Sequence, residues 1–375
     1  MVIAFAASYA LISHEGISYA QATRKPKSKA NAGMTLPQAR RGFKTQLIEQ
    51  KSPREAAPVP PPKVFRKVKY KAQPGELTAY LSPDPGDGKK HPAIVWITGG
   101  DCNTIDESLW APTDPRNDQT ASAYRKAGII MMFPSLRGGN DNPGKKEGFF
   151  GEVNDVLAAS EFLSRQEYVD PDRIYLGGHS TGGTLALLVA ASTDKYRAVF
   201  SFGPNHDVSG YLGDYLPFNT RDPREIALRS PGLWLHSIRC RTFVFEGTTG
   251  IPNNLFALED MRGKSKNPAI SFYPIRNGDH FNILAPINAK IAAMILEDEG
   301  PKTNINFTAA DLSKLALSGG EAPTTSPVDR MKAQRDRMRS GRPGGLRDRP
   351  IGGMRDRPTG FPRRPGLGPD RFGRP

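Results

Sequence analysis

Two stretches early in the chain, Val64-Phe65-Arg66-Lys67-Val68-Lys69-Tyr70 and Leu77-Thr78-Ala79-Tyr80-Leu81, alternate apolar and polar residues around Pro74-Gly75. A period of two with a turn between the runs predicts an antiparallel hairpin. The pattern then changes. Pro92-Ala93-Ile94-Val95-Trp96-Ile97 and Ile129-Ile130-Met131-Met132-Phe133 are continuous apolar runs, the mark of parallel strands covered on both faces. Residues 173–177, 198–202, 242–246 and 270–275 read the same way. Between these runs the period lengthens. Over 152–165 it places Val153, Val156, Leu157, Ser160, Phe162 and Leu163 on one broad helical face, and Pro171 closes that region. Helices are also predicted over 183–191, 254–262 and 286–296. Strands alternating with helices predict an α/β fold, a doubly wound, mainly parallel sheet over residues 63–300.

Outside this body the pattern weakens. Phe43-Lys44-Thr45-Gln46-Leu47-Ile48 is a candidate first strand inside a basic, proline-containing linker over 23–62. Residues 203–230, with Tyr211, Tyr215 and Phe218, are irregular, and read either as a lid over substrate or as a surface excursion. Residues 301–375 form a tail that is low in complexity from about Gly319. In it Gly345-Leu346-Arg347-Asp348-Arg349-Pro350-Ile351-Gly352 is followed at once by Gly353-Met354-Arg355-Asp356-Arg357-Pro358-Thr359-Gly360. Such sequence buries too little apolar surface to offset chain entropy, so disordered basic flanks are expected at both ends. The apolar run over residues 2–12 is too short to span a membrane. With Ala20-Gln21-Ala22 after it, it reads as a signal peptide (residues 1–22) and points to export, although no Lys or Arg precedes it. The other reading is a frayed cytoplasmic N-terminus.

Charge sharpens this division. Residues 23–72 carry a net +12 and residues 327–375 a net +9, whereas 73–326 carry −6. The formal +14 therefore belongs to the flanks, and a nucleic-acid-binding fold is not implied. The basic tail is a candidate for weak, salt-sensitive polyanion contact, and a solubilising tail without a partner fits equally well. Two cysteines, Cys102 and Cys240, give neither a disulfide framework nor a zinc pattern. Both read as bystanders, Cys240 in the core and Cys102 in a loop. No metal or cofactor motif is present in the sequence.

The candidate chemistry sits at Gly178-His179-Ser180-Thr181-Gly182. A predicted strand precedes it and a predicted helix follows. That context makes the G-x-S-x-G match a nucleophile elbow, with Ser180 as nucleophile. The sharp turn needs small neighbours, and the helix aims its N-terminal amides at charge developing beside the serine.

Several stretches in order carry a wider resemblance. They are Pro134-Ser135-Leu136-Arg137-Gly138-Gly139, Gly151-Glu152-Val153-Asn154-Asp155-Val156, Tyr168-Val169-Asp170-Pro171-Asp172-Arg173-Ile174, the elbow itself, and Gly278-Asp279-His280-Phe281. Over roughly 75–298 the chain resembles the catalytic domain of prolyl oligopeptidase-like serine hydrolases, an α/β-hydrolase fold, without the propeller of that family. The resemblance implies His280 as general base, and an oxyanion hole from the amides of Thr181 and Gly100, with Thr98 standing where many relatives have His. It also implies an acid a few residues past the strand 242–246, at the D of G-x-x-D. Here that position reads Gly247-Thr248-Thr249-Gly250, with no carboxylate. Glu246 is the first candidate and Asp207 the second. Asp279 is too close in sequence to reach the ring of His280, and Asn253 or Asn254 would orient it without charge.

The expectation is thus a serine hydrolase, esterase or peptidase, that cleaves an ester or peptide-like bond of a small-molecule or peptide substrate through an acyl-enzyme. The alternative is a catalytically weakened protein of the same fold that binds a partner or acidic polymer.

Overall fold

A computed structural model describes residues 33–48, 55–211, 216–315 and 317. The expectations for the N-terminal signal, the repeat tail and Tyr215 fall on residues outside these. Among the described residues eight strands form one sheet: β1 (Arg66–Ala72), β2 (Gly75–Leu81), β3 (His91–Ile97), β4 (Ile130–Pro134), β5 (Val169–His179), β6 (Ala198–Phe202), β7 (Arg241–Gly247) and β8 (Ile270–Ile275). Their order is β1-β2-β4-β3-β5-β6-β7-β8. The hairpin β1–β2 is antiparallel, with Val68 opposite Ala79, and β2 adds antiparallel to β4. From β4 to β8 all pairings are parallel. Strand β5 starts earlier than expected, and Pro171 lies inside it rather than before it.

The unbroken apolar runs explain why the sheet is central. Side chains alternate along each strand, so a strand buried on both faces feeds two cores. Val95, Ile97, Leu176, Val199 and Val244 enter one core; Ile94, Trp96, Tyr175, Phe200 and Phe245 enter the other. On the first side lie α3 (Glu152–Ser164), α4 (Thr181–Ala190) and α6 (Leu255–Lys264), contributing Val156, Leu187 and Leu258. On the second lie α2 (Ala123–Lys126) and α7 (Leu284–Glu297), contributing Tyr124, Ile287 and Ile291. Every residue of α4 is buried, as an all-round apolar helix requires.

The body is larger than residues 63–300. The helix α1 (Leu36–Arg40) precedes it, with Gln38 Oε1 accepting from the Thr35 amide at 2.8 Å. The candidate strand over 43–48 is a single bridge, Leu47 to Phe218. The half-buried Arg40 guanidinium donates to the carbonyls of Leu228, Phe149 and Phe150, so this arm ties two distant segments together. After α7 the chain packs on through Phe307, which touches Phe243 and Phe245, and continues into the short α8 (Ala309–Ser313). Residues 203–230 are not a surface excursion where described. Val208, Phe218 and Leu228 are core residues, and α5 (Pro223–Ala227) carries Glu225, fully buried against Arg229.

Among the described residues no helix is long and apolar enough to cross a membrane.

Candidate functional site

Parallel strands end on the same edge of the sheet, so the residues that follow β3, β5, β6, β7 and β8 gather there. Ser180 caps β5. Its backbone is at φ 56°, ψ −114°, which a side-chain-bearing residue adopts only when its surroundings force it. The force is visible in the bonds on either side. Ser180 N–H donates to Phe202 O at 2.7 Å, fixing the turn to β6, and Ser180 O accepts from Thr184 N–H at 2.9 Å, opening α4. The glycines are required by contact. A Cβ on Gly178 would strike the carbonyl of Gly182, and one on Gly182 the carbonyls of Ile97 and Thr98.

His280 lies in the loop after β8 and Glu246 at the end of β7. The structure brings them together: His280 Nδ1 and Glu246 Oε2 are 3.0 Å apart, with His280 97% and Glu246 fully buried. A carboxylate only accepts, so Nδ1 carries the proton, and in a neutral ring the lone pair is then on Nε2. Glu246 Oε1 accepts from Gly247 N–H at 3.1 Å. Gly203 leaves room for the pair. It sits at φ +57°, and a Cβ there would be 2.6 Å from both Glu246 Oε2 and His280 Nδ1. Because Gly203 directly follows Phe202, the Glu246–His280 pair abuts the turn that holds Ser180.

The other carboxylates near the site are occupied elsewhere. Asp207 accepts from Ser209 N–H at 2.8 Å and from Ser230 Oγ at 3.2 Å, capping a short 3-10 turn, and makes no bond to His280. Asp279 accepts from the amides of Phe281 and Asn282 at 2.8 and 2.7 Å, which shapes the loop carrying His280. Asn253 donates to the carbonyls of Gly247 and Thr249, and Asn254 to that of Gly203. Gly250 stands where a G-x-x-D acid would, and the residue before it, Thr249, pins the histidine loop. Its amide and hydroxyl both donate to Gly278 O, at 2.9 and 2.7 Å.

On the opposite side, the turn after β3 carries Gly100 at φ +73°. Thr181 Oγ1 donates to Gly100 O at 2.8 Å, locking this turn to the start of α4. The amide of Thr181 is at the first helical position and so has no acceptor within the helix. Beneath this turn lies a buried polar layer. Asn103 Nδ2 donates to Arg137 O at 2.8 Å and to Glu152 Oε1 at 3.2 Å. Arg137 is clamped by Asp155, through Nε and Nη2 at 2.8 Å, and by Glu147 at 2.6 Å. Burial raises the Glu152 carboxyl above the usual range, with the charges of Asp155 and Glu147 adding to it. Cys102 and Cys240 are both buried, and burial pushes both thiols up, Cys240 to about 11. Neither is a ready thiolate.

Two neighbours of the site have contacts to which the sequence assigned no role. Tyr211 places its hydroxyl 2.6 Å from Thr184 Oγ1 and its ring 5.3 Å from that of Phe149, whose backbone is at φ 74°. His179, inside the elbow motif, bonds the backbone of His280. The elbow pattern leaves its second position open, so only tertiary contacts show what His179 does.

The strand order and the elbow define an α/β-hydrolase fold. Residues 115–227 match the prolyl oligopeptidase family, which shows the resemblance carried by the motifs. The chain is 32% identical over 127 residues to a dipeptidyl-peptidase 5 of Porphyromonas gingivalis, a match over 32% of this chain and 18% of that protein. It is 28% identical over 144 residues to a polyketide transferase of Stachybotrys chlorohalonatus, covering 37% and 44%. It thus spans less than half the length of either curated relative. Among solved structures, a Mycobacterium tuberculosis puromycin-hydrolyzing peptidase superimposes with a TM-score of 0.50 at 18% identity, over 62% of this chain and 39% of that one. That likeness is one of fold.

Proposed function

We propose that the protein is a serine hydrolase that cleaves an ester or peptide-like bond through an acyl-enzyme. The observation that carries this reading is the buried Glu246–His280 hydrogen bond, set against the strained turn of Ser180. Ser180 Oγ attacks the substrate carbonyl, and His280 Nε2 takes its proton. Glu246 holds the ring in the tautomer that leaves Nε2 free and offsets the charge of the imidazolium. The amides of Thr181 and Gly100 donate to the oxyanion of the tetrahedral intermediate. Collapse breaks the bond to the leaving group, which departs with the proton held by His280. Water then attacks the acyl carbonyl while giving a proton to His280, and the second tetrahedral intermediate collapses by breaking the bond to Ser180 Oγ, which takes that proton back as the acid leaves.

A stretch shared with a protein named as a dipeptidyl-peptidase supports a peptide-like substrate, and the geometry serves esters equally. Export after Ala22 and weak polyanion contact by residues 327–375 belong to the same proposal, supported by sequence alone.

The test is a pre-steady-state assay with p-nitrophenyl acetate beside an aminoacyl p-nitroanilide. A burst of one p-nitrophenol per chain, absent in Ser180→Ala, is expected. No burst and no turnover of either substrate by folded protein would refute the reading.

A further inference from the structure

The residue before the nucleophile touches all three parts of the site. His179 is buried, and its Nε2 lies 2.9 Å from the backbone carbonyl of His280. A carbonyl only accepts, so Nε2 carries the proton, and in a neutral ring Nδ1 must then accept. Gln119 sets both ends of its amide beside Nδ1, Nε2 at 3.1 Å and Oε1 at 3.3 Å; an Nδ1 without a proton takes the N–H, and the same Nε2 also donates to Asn117 Oδ1 at 2.7 Å. The ring packs at 4.6 Å from the His280 ring and 5.6 Å from that of Phe281. On the other side it borders the oxyanion turn, where a Cβ on Gly99 would be 2.8 Å from His179 Nδ1 and 3.3 Å from Ser180 Cβ. Burial, and the adjacent charge of His280, hold the His179 ring well below its ordinary pKa, which keeps it neutral while His280 cycles.

We infer that the chain Gln119–His179–His280 C=O is a positioning device that sets the backbone of the general base relative to Ser180 and the oxyanion turn. This rests on the serine hydrolase reading above. Glu246 fixes the rotation of the His280 ring, and His179 fixes the backbone from which that ring projects. Because His179 is the neighbour of Ser180 in the chain, the one bond ties base and nucleophile into a single frame. Gln119 selects the tautomer of His179 that can donate.

The experiment measures acylation by p-nitrophenyl acetate per titrated active site in wild type, His179→Leu, His179→Gln and Gln119→Leu. His179→Leu removes the donor and is expected to lower kcat by about 10- to 100-fold with KM little changed, as misplacement by up to about 1 Å does. The side chain of Gln can present an N–H close to the place of Nε2, so His179→Gln should recover most of the loss. Gln119→Leu should show a smaller fall in the same constant. A purely structural role would reduce the number of titratable sites and leave the rate per site intact. Wild-type kcat per site in both Gln119→Leu and His179→Leu would overturn the inference, as would equal losses in His179→Gln and His179→Leu. If His179→Leu does not fold, Gln119→Leu decides: an unchanged rate per site refutes, a lowered kcat at constant KM supports. Failure of the underlying reading looks different, because wild type itself would then show no acylation that depends on Ser180.

Discussion

Glu246→Gln separates the proposed acid from every other polar group around the site. The two oxygens of Glu246 have different partners, Oε2 with His280 Nδ1 at 3.0 Å and Oε1 with Gly247 N–H at 3.1 Å. An amide of the same shape has one oxygen and one NH2. If the NH2 faces His280, Nδ1 must become an acceptor, the proton moves to Nε2, and the base is lost. If the oxygen faces His280, the NH2 meets the Gly247 N–H, two donors in a buried space, and the imidazolium loses its counter-charge. Either arrangement removes stabilisation that is needed only during the reaction. The equivalent carboxylate-to-amide change in the Ser-His-Asp triad of chymotrypsin-like proteases costs about 10⁴ in kcat. Because the second arrangement offers a partial escape, we expect a loss of about 10³ to 10⁴, or ~4–5.5 kcal/mol in the barrier. KM should change little, and the fold should persist, since a neutral group of the same volume leaves no buried charge unpaired. The assay is single-turnover acylation by p-nitrophenyl acetate, with thermal unfolding to verify the fold. A Glu246→Gln protein acylating within about threefold of wild type would refute the assignment of the acid, since loss of a triad carboxylate is never so mild in the reference systems.

Three further outcomes follow from the packing. Gly203→Ala sets a methyl group 2.6 Å from Glu246 Oε2 at a φ of +57°, so kcat should drop at least tenfold. Stability should fall by about 1–3 kcal/mol in urea unfolding. Arg137→Met leaves Asp155 buried without its ion pair and should cost about 3–5 kcal/mol, read in the same experiment. Asp298→Asn tests linkage. Burial opposes ionisation of Asp298, but bonds from Arg197, Tyr175, the Asn304 amide and Thr303 outweigh it and hold the carboxyl below its ordinary value. A depressed folded pKa stabilises above the unfolded pKa and is lost as pH falls through the folded one. The Tm gap between wild type and Asp298→Asn should therefore be full near pH 7 and close progressively below about pH 4.

Much of the fold was legible because parallel strands buried on both faces announce themselves as unbroken apolar runs, and β3, β4, β6, β7 and β8 lie within a residue or so of those runs. What escaped was whatever depends on long-range partners. The arm holding α1 is polar and basic, and nothing local says that Arg40 will find three carbonyls more than a hundred residues away. A local signal for α1 was present, Thr35 and Gln38 flanking Pro37, but it marks a helix start without saying what the helix packs on. The segment 203–230 looked irregular because its order comes from Glu225 bonding Gln46, Arg229 bonding Thr45 and Glu147, and Phe218 pairing with Leu47, rather than from any period. At the site the elbow was readable from its glycines. The partner of His280 was not, since Gly247-Thr248-Thr249-Gly250 lacks the expected carboxylate and the choice between Glu246 and Asp207 turns on which strand end faces the histidine loop. In the fold Asp207 faces Ser209 and Ser230, and Glu246 faces His280, which supports Glu246 as the proposed acid.

The most direct measurement is labelling by a fluorophosphonate probe, wild type beside Ser180→Ala, with the modified peptide identified by mass spectrometry. The account predicts a single stoichiometric adduct on Ser180, absent from the variant. A well-folded wild-type protein that takes up no probe, or that carries the adduct on another residue, would contradict it.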